Sequence, residues 1–148
     1  MDEEKKLQLM HEFRSQLVFF LDELIEQFPS EGDFVIIRIF IKDQIPVYDV
    51  IGRFIRDLLP LKEKVQTRDQ SFFLENTLLY TGGNVATDKI NHFKELWLSK
   101  QLDDTDREVI WKWMDLFISI AHKYYKAYGY IPGWTPTTQL NEQCFLTT

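Results

Sequence analysis

The chain has 148 residues, is 45% hydrophobic, and carries 17 Lys plus Arg against 23 Asp plus Glu for a net charge of −6. This length and apolar content suit one folded domain with a sizeable core and exclude a disordered chain, and the acidic balance opposes non-specific attachment to nucleic-acid phosphates or anionic lipid. Six Gly and five Pro are too few for the many turns of an all-β fold, and the single cysteine, Cys144, excludes a disulfide framework and a multi-cysteine zinc site.

The opening Met-Asp-Glu-Glu-Lys-Lys lacks the apolar stretch of a secretory signal. No apolar run reaches the roughly 18 residues of a membrane span, so a soluble, intracellular protein is expected. Over residues 3–28, Leu7, Met10, Phe13, Leu17, Phe20, Leu21, Leu24 and Phe28 recur at spacings of three and four, which predicts a long amphipathic helix ended by Pro29. Ser30-Glu31-Gly32-Asp33 then reads as a turn and the next N-cap. Residues 34–44 (FVIIRIFIKDQ) have the β-branched content of a strand, but Phe34, Ile37, Ile41 and Ile45 fit one helical stripe. A lone strand would have no partner elsewhere, so a helix is predicted.

Pro46 suits the first turn of a helix over 47–59, with Val47, Val50, Ile51, Phe54, Ile55 and Leu58 inward. Pro60 ends it, and residues 61–67 suggest a short helical turn. Asp69 can cap a helix over 70–80 that buries Phe72, Phe73 and Leu79; Gly82-Gly83-Asn84 marks a loop, and residues 88–99 read as a helix through Ile90, Phe93, Leu96 and Trp97.

Residues 105–128 (TDREVIWKWMDLFISIAHKYYKAY) are the most informative stretch. Glu108, Lys112, Asp115, Ser119, His122, Lys123 and Lys126 fall on one polar arc, and from Val109 on the rest is apolar. Ile110, Trp113, Phe117, Ile120, Tyr124 and Tyr128 form one stripe; Trp111, Met114, Ile118, Ala121 and Tyr125 form a second beside it. A surface helix needs only one stripe, so this helix is expected to be central or to bind a partner. Thr105-x-x-Glu108 reads as its capping box and Gly129 as its stop. At about 1.5 Å per residue it would span roughly 36 Å, the diameter of a small domain.

Residues 130–148 contain Pro132-Gly133-Trp134-Thr135-Pro136 and cannot continue the helix, so they read as an extended tail after a helical domain over 1–129. Tyr130, Ile131, Trp134, Leu140, Phe145 and Leu146 place large apolar groups in that tail, which either pack back on the chain's own core or anchor a partner.

No constellation amounts to a chemical signature. His92 and Glu95 share a helix face but lack the further ligands of a bundle metal site. Asp103-Asp104-x-Asp106 fails the spacing of a calcium loop, and helix capping accounts for it. Gly82-Gly83 lacks the third glycine of a dinucleotide fingerprint and the Lys-Ser/Thr of a phosphate loop. Cys144, four residues from the end, has no scaffold for nucleophilic catalysis, and neither His11 nor His122 has an acid at the helical spacing of His92 and Glu95, so both read as surface or partly buried residues. Arg53, Arg56, Lys62, Lys64 and Arg68 lie close in sequence but are interleaved with Asp57, Glu63 and Asp69, the pattern of a mixed solvated surface.

The runs Asp33-Phe-Val-Ile-Ile-Arg-Ile-Phe, Arg68-Asp-x-x-Phe72-Phe73-x-x-Asn76, Phe93-Lys-x-Leu-Trp97 and Asp106-x-x-Val-Ile-Trp111-Lys-Trp113 together resemble small helical proteins of nucleocytoplasmic large DNA viruses, over roughly residues 10–126. The resemblance brings no activity or catalytic residue with it. It implies a viral, host-intracellular setting: host cytoplasm, virus factory or virion.

The expectation is therefore an all-α, compact single-domain bundle of about five to six helices, with a long central C-terminal helix and an irregular tail. Its expected role is non-enzymatic protein contact as a virion component or assembly factor, through a protein partner or self-association, with no cofactor, metal or membrane. Candidate partner-binding residues are Trp111, Met114, Ile118, Tyr125, Tyr130, Trp134 and Phe145. The alternatives are a nucleic-acid-associated accessory protein using Arg53, Arg56, Lys62, Lys64 and Arg68, and a small helical enzyme.

Overall fold

A computed structural model describes residues 2–72 and 87–135. The fold is all-α, with no strand among the described residues. In chain order it comprises α1 (Asp2–Gln27), α2 (Gly32–Ile39) running into a π turn (Phe40–Gln44), α3 (Val47–Asp57), a 3-10 turn (Leu59–Leu61), α4 (Lys62–Gln66), α5 (Thr87–Leu98) and α6 (Asp104–Tyr128).

Prolines set the first boundaries. The residue before a proline is pushed out of the helical region, and α1 ends one residue short of Phe28-Pro29, with the Glu31 amide closing the turn on the Phe28 carbonyl. The same constraint holds Ile45 extended ahead of Pro46 (φ −92°, ψ 129°), and the preceding turn closes through Ile45 N–H to the Phe40 carbonyl at 2.8 Å. That wider i→i+5 turn is the π segment. Residues 34–44 are thus helical throughout, with Phe34 buried and Ile37 and Ile41 packed against the core.

α6 lies in the centre, against α1, α3 and α4. Phe117 is fully buried, its ring 5.6 Å from Phe13, 5.6 Å from Phe20 and 5.9 Å from Phe54. Of its second stripe, Trp111, Met114, Ile118 and Ala121 are all buried by the chain itself. Trp111 meets Trp97 of α5 edge-on at 5.6 Å and Phe72 at 5.9 Å, and α5 continues this aromatic run through Phe93, stacked on Phe34 at 5.5 Å. The over-wide apolar arc is that of a core helix covered on both stripes except at Tyr125.

Three local expectations are corrected. The capping box of α6 is Asp103 with Asp106, not Thr105 with Glu108: the Asp106 amide donates to Asp103 Oδ1 at 2.7 Å and the Asp103 amide to Asp106 Oδ2 at 3.1 Å. Glu108 is engaged elsewhere, by Arg68. Leu7 is 47% exposed, since it sits near the start of α1. The third helix stops at Asp57 rather than residue 59, and the chain tightens into the 3-10 turn that contains Pro60. Gly129, at φ +79°, closes α6 as expected, its amide bonded to the Tyr125 carbonyl at 2.8 Å. Phe73, Leu79 and Gly82-Gly83-Asn84 lie outside the described residues.

Candidate interaction surface

The residues just after α6 turn back onto α3. Ile131 is buried, and the Trp134 indole N–H donates to Asp49 Oδ1 at 2.6 Å while the Arg56 guanidinium lies 4.7 Å from its ring centre. Buried Gly52 is what lets the indole approach: a β-carbon there would stand 2.8 Å from Trp134 Cδ1 and 3.0 Å from Ile131 Cβ. The aromatic segment is therefore docked on its own domain as far as residue 135, and Phe145 lies outside the described residues.

Of the candidate partner-binding residues, Trp111, Met114 and Ile118 are in the core and cannot be met by a partner without unfolding. Trp134 is half-buried, and among the described candidates only Tyr125 and Tyr130 present substantial area, each 38% exposed and packed edge-on against the other at 4.9 Å. Burial, reinforced by the bond to Tyr125, raises the Tyr130 phenol above its ordinary value.

The three arginines among the basic candidates are engaged by nearby acids. Arg56 makes a two-pronged contact with Asp57 (2.8 and 3.0 Å), and Asp57 also lies 3.6 Å from Arg53, whose pKa is lowered by burial more than that carboxylate raises it. Lys64 donates to the Ser71 hydroxyl at 3.1 Å. Arg68 is clamped between two α6 carboxylates, with Nη2 2.9 Å from both Glu108 and Asp115, and its Nη1 also donates to the Val65 carbonyl at 2.9 Å. The bonds to Asp115 and Glu108 raise its pKa above the ordinary arginine value. They tie α4 to α6 and leave the group poorly suited to grip phosphates.

His92 Nε2 lies 2.8 Å from Glu31, bracing α5 against the start of α2, and Glu95 takes no part. Among the described residues no three His, Cys, Asp or Glu side chains come together as metal ligands. Cys144 lies outside those residues, and His11 is exposed beside Arg14 at 3.1 Å.

What the sequence reading did not single out is the outer face of α2. While Phe34 and Ile37 turn to the core, Val35, Ile36, Ile39 and Phe40 are all substantially exposed, Ile36 and Phe40 at 51% each. At positions i, i+1, i+4 and i+5 they form one continuous stripe. The signal was present in FVIIRIF, which is apolar nearly all round, a pattern that a surface helix does not need for its own fold.

Comparison with family models, curated proteins and solved structures finds no match to this chain. Among the described residues, no helix is long and apolar enough to cross a membrane.

Proposed function

We propose that this is a non-enzymatic interaction protein working through the outer face of α2, and that a second copy of the chain is the partner on that face. The observation that carries this reading is the exposed stripe Val35, Ile36, Ile39 and Phe40 on a helix whose other face is already in the core. Most homo-oligomers are two-fold symmetric, with the same patch on both subunits. Arg38 on the same helix is already bonded to Asp22 of α1, so the fit between two copies rests on the self-complementary apolar stripe rather than on charge. In the viral setting implied by the sequence resemblance, such a self-associating helical unit serves as a virion component or assembly factor, in the host cytoplasm, the virus factory or the particle.

Size-exclusion chromatography with light scattering across a concentration series tests this. The wild-type chain is expected to approach dimer mass, and Ile36→Glu to remain monomeric, since loss of a central apolar anchor costs about 2 kcal/mol or more, some 30-fold in affinity. A wild-type chain that stays monomeric at the highest concentration rejects the reading.

A further inference from the structure

The helices leave a space that their own side chains do not fill. Residues of α1, α2 and its π turn, α3, α5 and α6 line an apolar cavity of about 470 Å³ that is half open to the surface. Native interiors rarely contain voids larger than a water molecule. An apolar cavity of about 150 Å³ already takes up benzene, and ligand pockets run from about 300 to 1,000 Å³. A cavity of this size in so small a domain is therefore the size of a binding site rather than of a packing defect.

Its lining sets the chemistry of the occupant. The wall formed by α1 and the residue after it runs from Leu17 through Leu24 to Phe28, about 16 Å at the helical rise, which suits an elongated molecule. Opposite stand aliphatic and aromatic groups such as Ile37, Ile110 and Met114. Among the described residues, the ionisable groups on the wall are Asp49 and Arg53, one turn apart on α3, with Asp49 already accepting the Trp134 indole N–H and Arg53 lying 3.6 Å from Asp57. Phe40 and Ile45, at the two ends of the π turn, both line the cavity and are exposed, so the space reaches the surface there. The π turn is a weak point of the wall, because its hydrogen bonding departs from the α pattern just where access is needed.

We infer that this cavity binds one long aliphatic chain of the fatty-acyl type, entering past Phe40 and Ile45, with its polar end kept near the α3 pair Asp49 and Arg53. The cavity shares Phe40 with the α2 stripe at its mouth, but its walls are the inner faces of the helices, so a monomeric protein would possess it equally.

The test uses cis-parinaric acid, a fluorescent aliphatic chain, titrated into the full-length protein, with palmitate as competitor and phosphatidylcholine vesicles as the second acyl source. Saturable one-to-one binding displaced by palmitate is expected. Displacement by vesicles as well would assign lipid acyl chains alongside free acids as ligands. Two filling variants, Leu24→Trp and Ile37→Trp, should each weaken binding at least tenfold while keeping the wild-type Tm or raising it, because the new ring enters existing space. Absence of saturable binding, unchanged affinity in both filled variants, or vesicle adsorption with no displacement by palmitate would overturn the inference. So would a fall in Tm in both variants, since a cavity that cannot accept an indole is not an open volume.

Discussion

Gly52→Ala should destabilise the protein, although glycine in a helix interior is normally the poorer residue by about 0.5–1 kcal/mol. The new methyl group would lie 2.8 and 2.9 Å from the Trp134 ring and 3.0 Å from Ile131 Cβ. Ordinary carbon contacts lie at about 3.5–4.0 Å, so the indole must retreat by about 1 Å. The ring is fixed by the 2.6 Å bond to Asp49 from Nε1, the neighbour of the crowded Cδ1, and by Arg56 over its face. A hydrogen bond to a charged group contributes about 1.5–3 kcal/mol, and the cation–π contact about 0.5–1. Partial loss of both, offset by the alanine gain, leaves a net cost of about 1–2 kcal/mol, or roughly 3–6 °C in Tm for a domain of this size. Urea denaturation of a double-mutant cycle with Trp134→Ala measures it. In the Trp134→Ala background the same Gly52→Ala change should become neutral or stabilising by up to about 1 kcal/mol. An equal destabilisation in both backgrounds would show that the indole is not what excludes a side chain at position 52.

Phe117→Ala should cost about 3–5 kcal/mol in chemical denaturation, because the ring is fully buried among Phe13, Phe20 and Phe54. Trp113→Ala should cost clearly less, since that ring is half-buried with its N–H on Glu23 near the surface. Arg68 has φ +55°, a left-handed conformation that suits glycine. Arg68→Gly and Arg68→Ala both lose the two-carboxylate clamp, and the glycine variant should be the more stable by about 1 kcal/mol in thermal denaturation; equal stability would argue against the left-handed backbone. The Asp69 carboxyl is held below its ordinary value by the Ser71 amide and hydroxyl. A depressed folded-state pKa gives stability that is present above the unfolded pKa and lost as pH falls through the folded one. Wild type should accordingly exceed Asp69→Asn in Tm near neutrality, with the gap closing in acid, and a gap that widens on acidification would reverse the assigned sign.

Periodicity carried most of the fold. The three-and-four spacing of α1, the inward set of α3 and both stripes of α6 required nothing but side-chain character along the chain, and the prolines at 29 and 46 marked real boundaries. Long-range competition was less legible. Two capping boxes overlapped at the start of α6, and the sequence could not show that Glu108 is taken by Arg68, forty positions away, which leaves Asp103 and Asp106 to cap. Gly52 was a clue of a kind, because an isolated helical glycine with apolar neighbours usually has a packing reason. Its partner, Trp134, lies 82 positions on, and no local pattern connects them. The apolar face of α2 was legible in principle, but attention to the inward stripe of Phe34, Ile37 and Ile41 passed over the outward one. The cavity was beyond reach, since whether five helices close on one another depends on volumes and crossing geometry that periodicity does not encode.

Disulfide trapping at α2 tests the central claim most directly. In a Cys144→Ser background, a cysteine at Ile36 or at Ile39 would lie on a self-complementary stripe and should oxidise to a covalent dimer under mild conditions. A cysteine at Lys123, exposed on the polar arc of α6, serves as the comparison. Efficient dimer formation at the two α2 positions with none at position 123 is the predicted result. No covalent dimer at either α2 position, or the same yield at position 123, would contradict it.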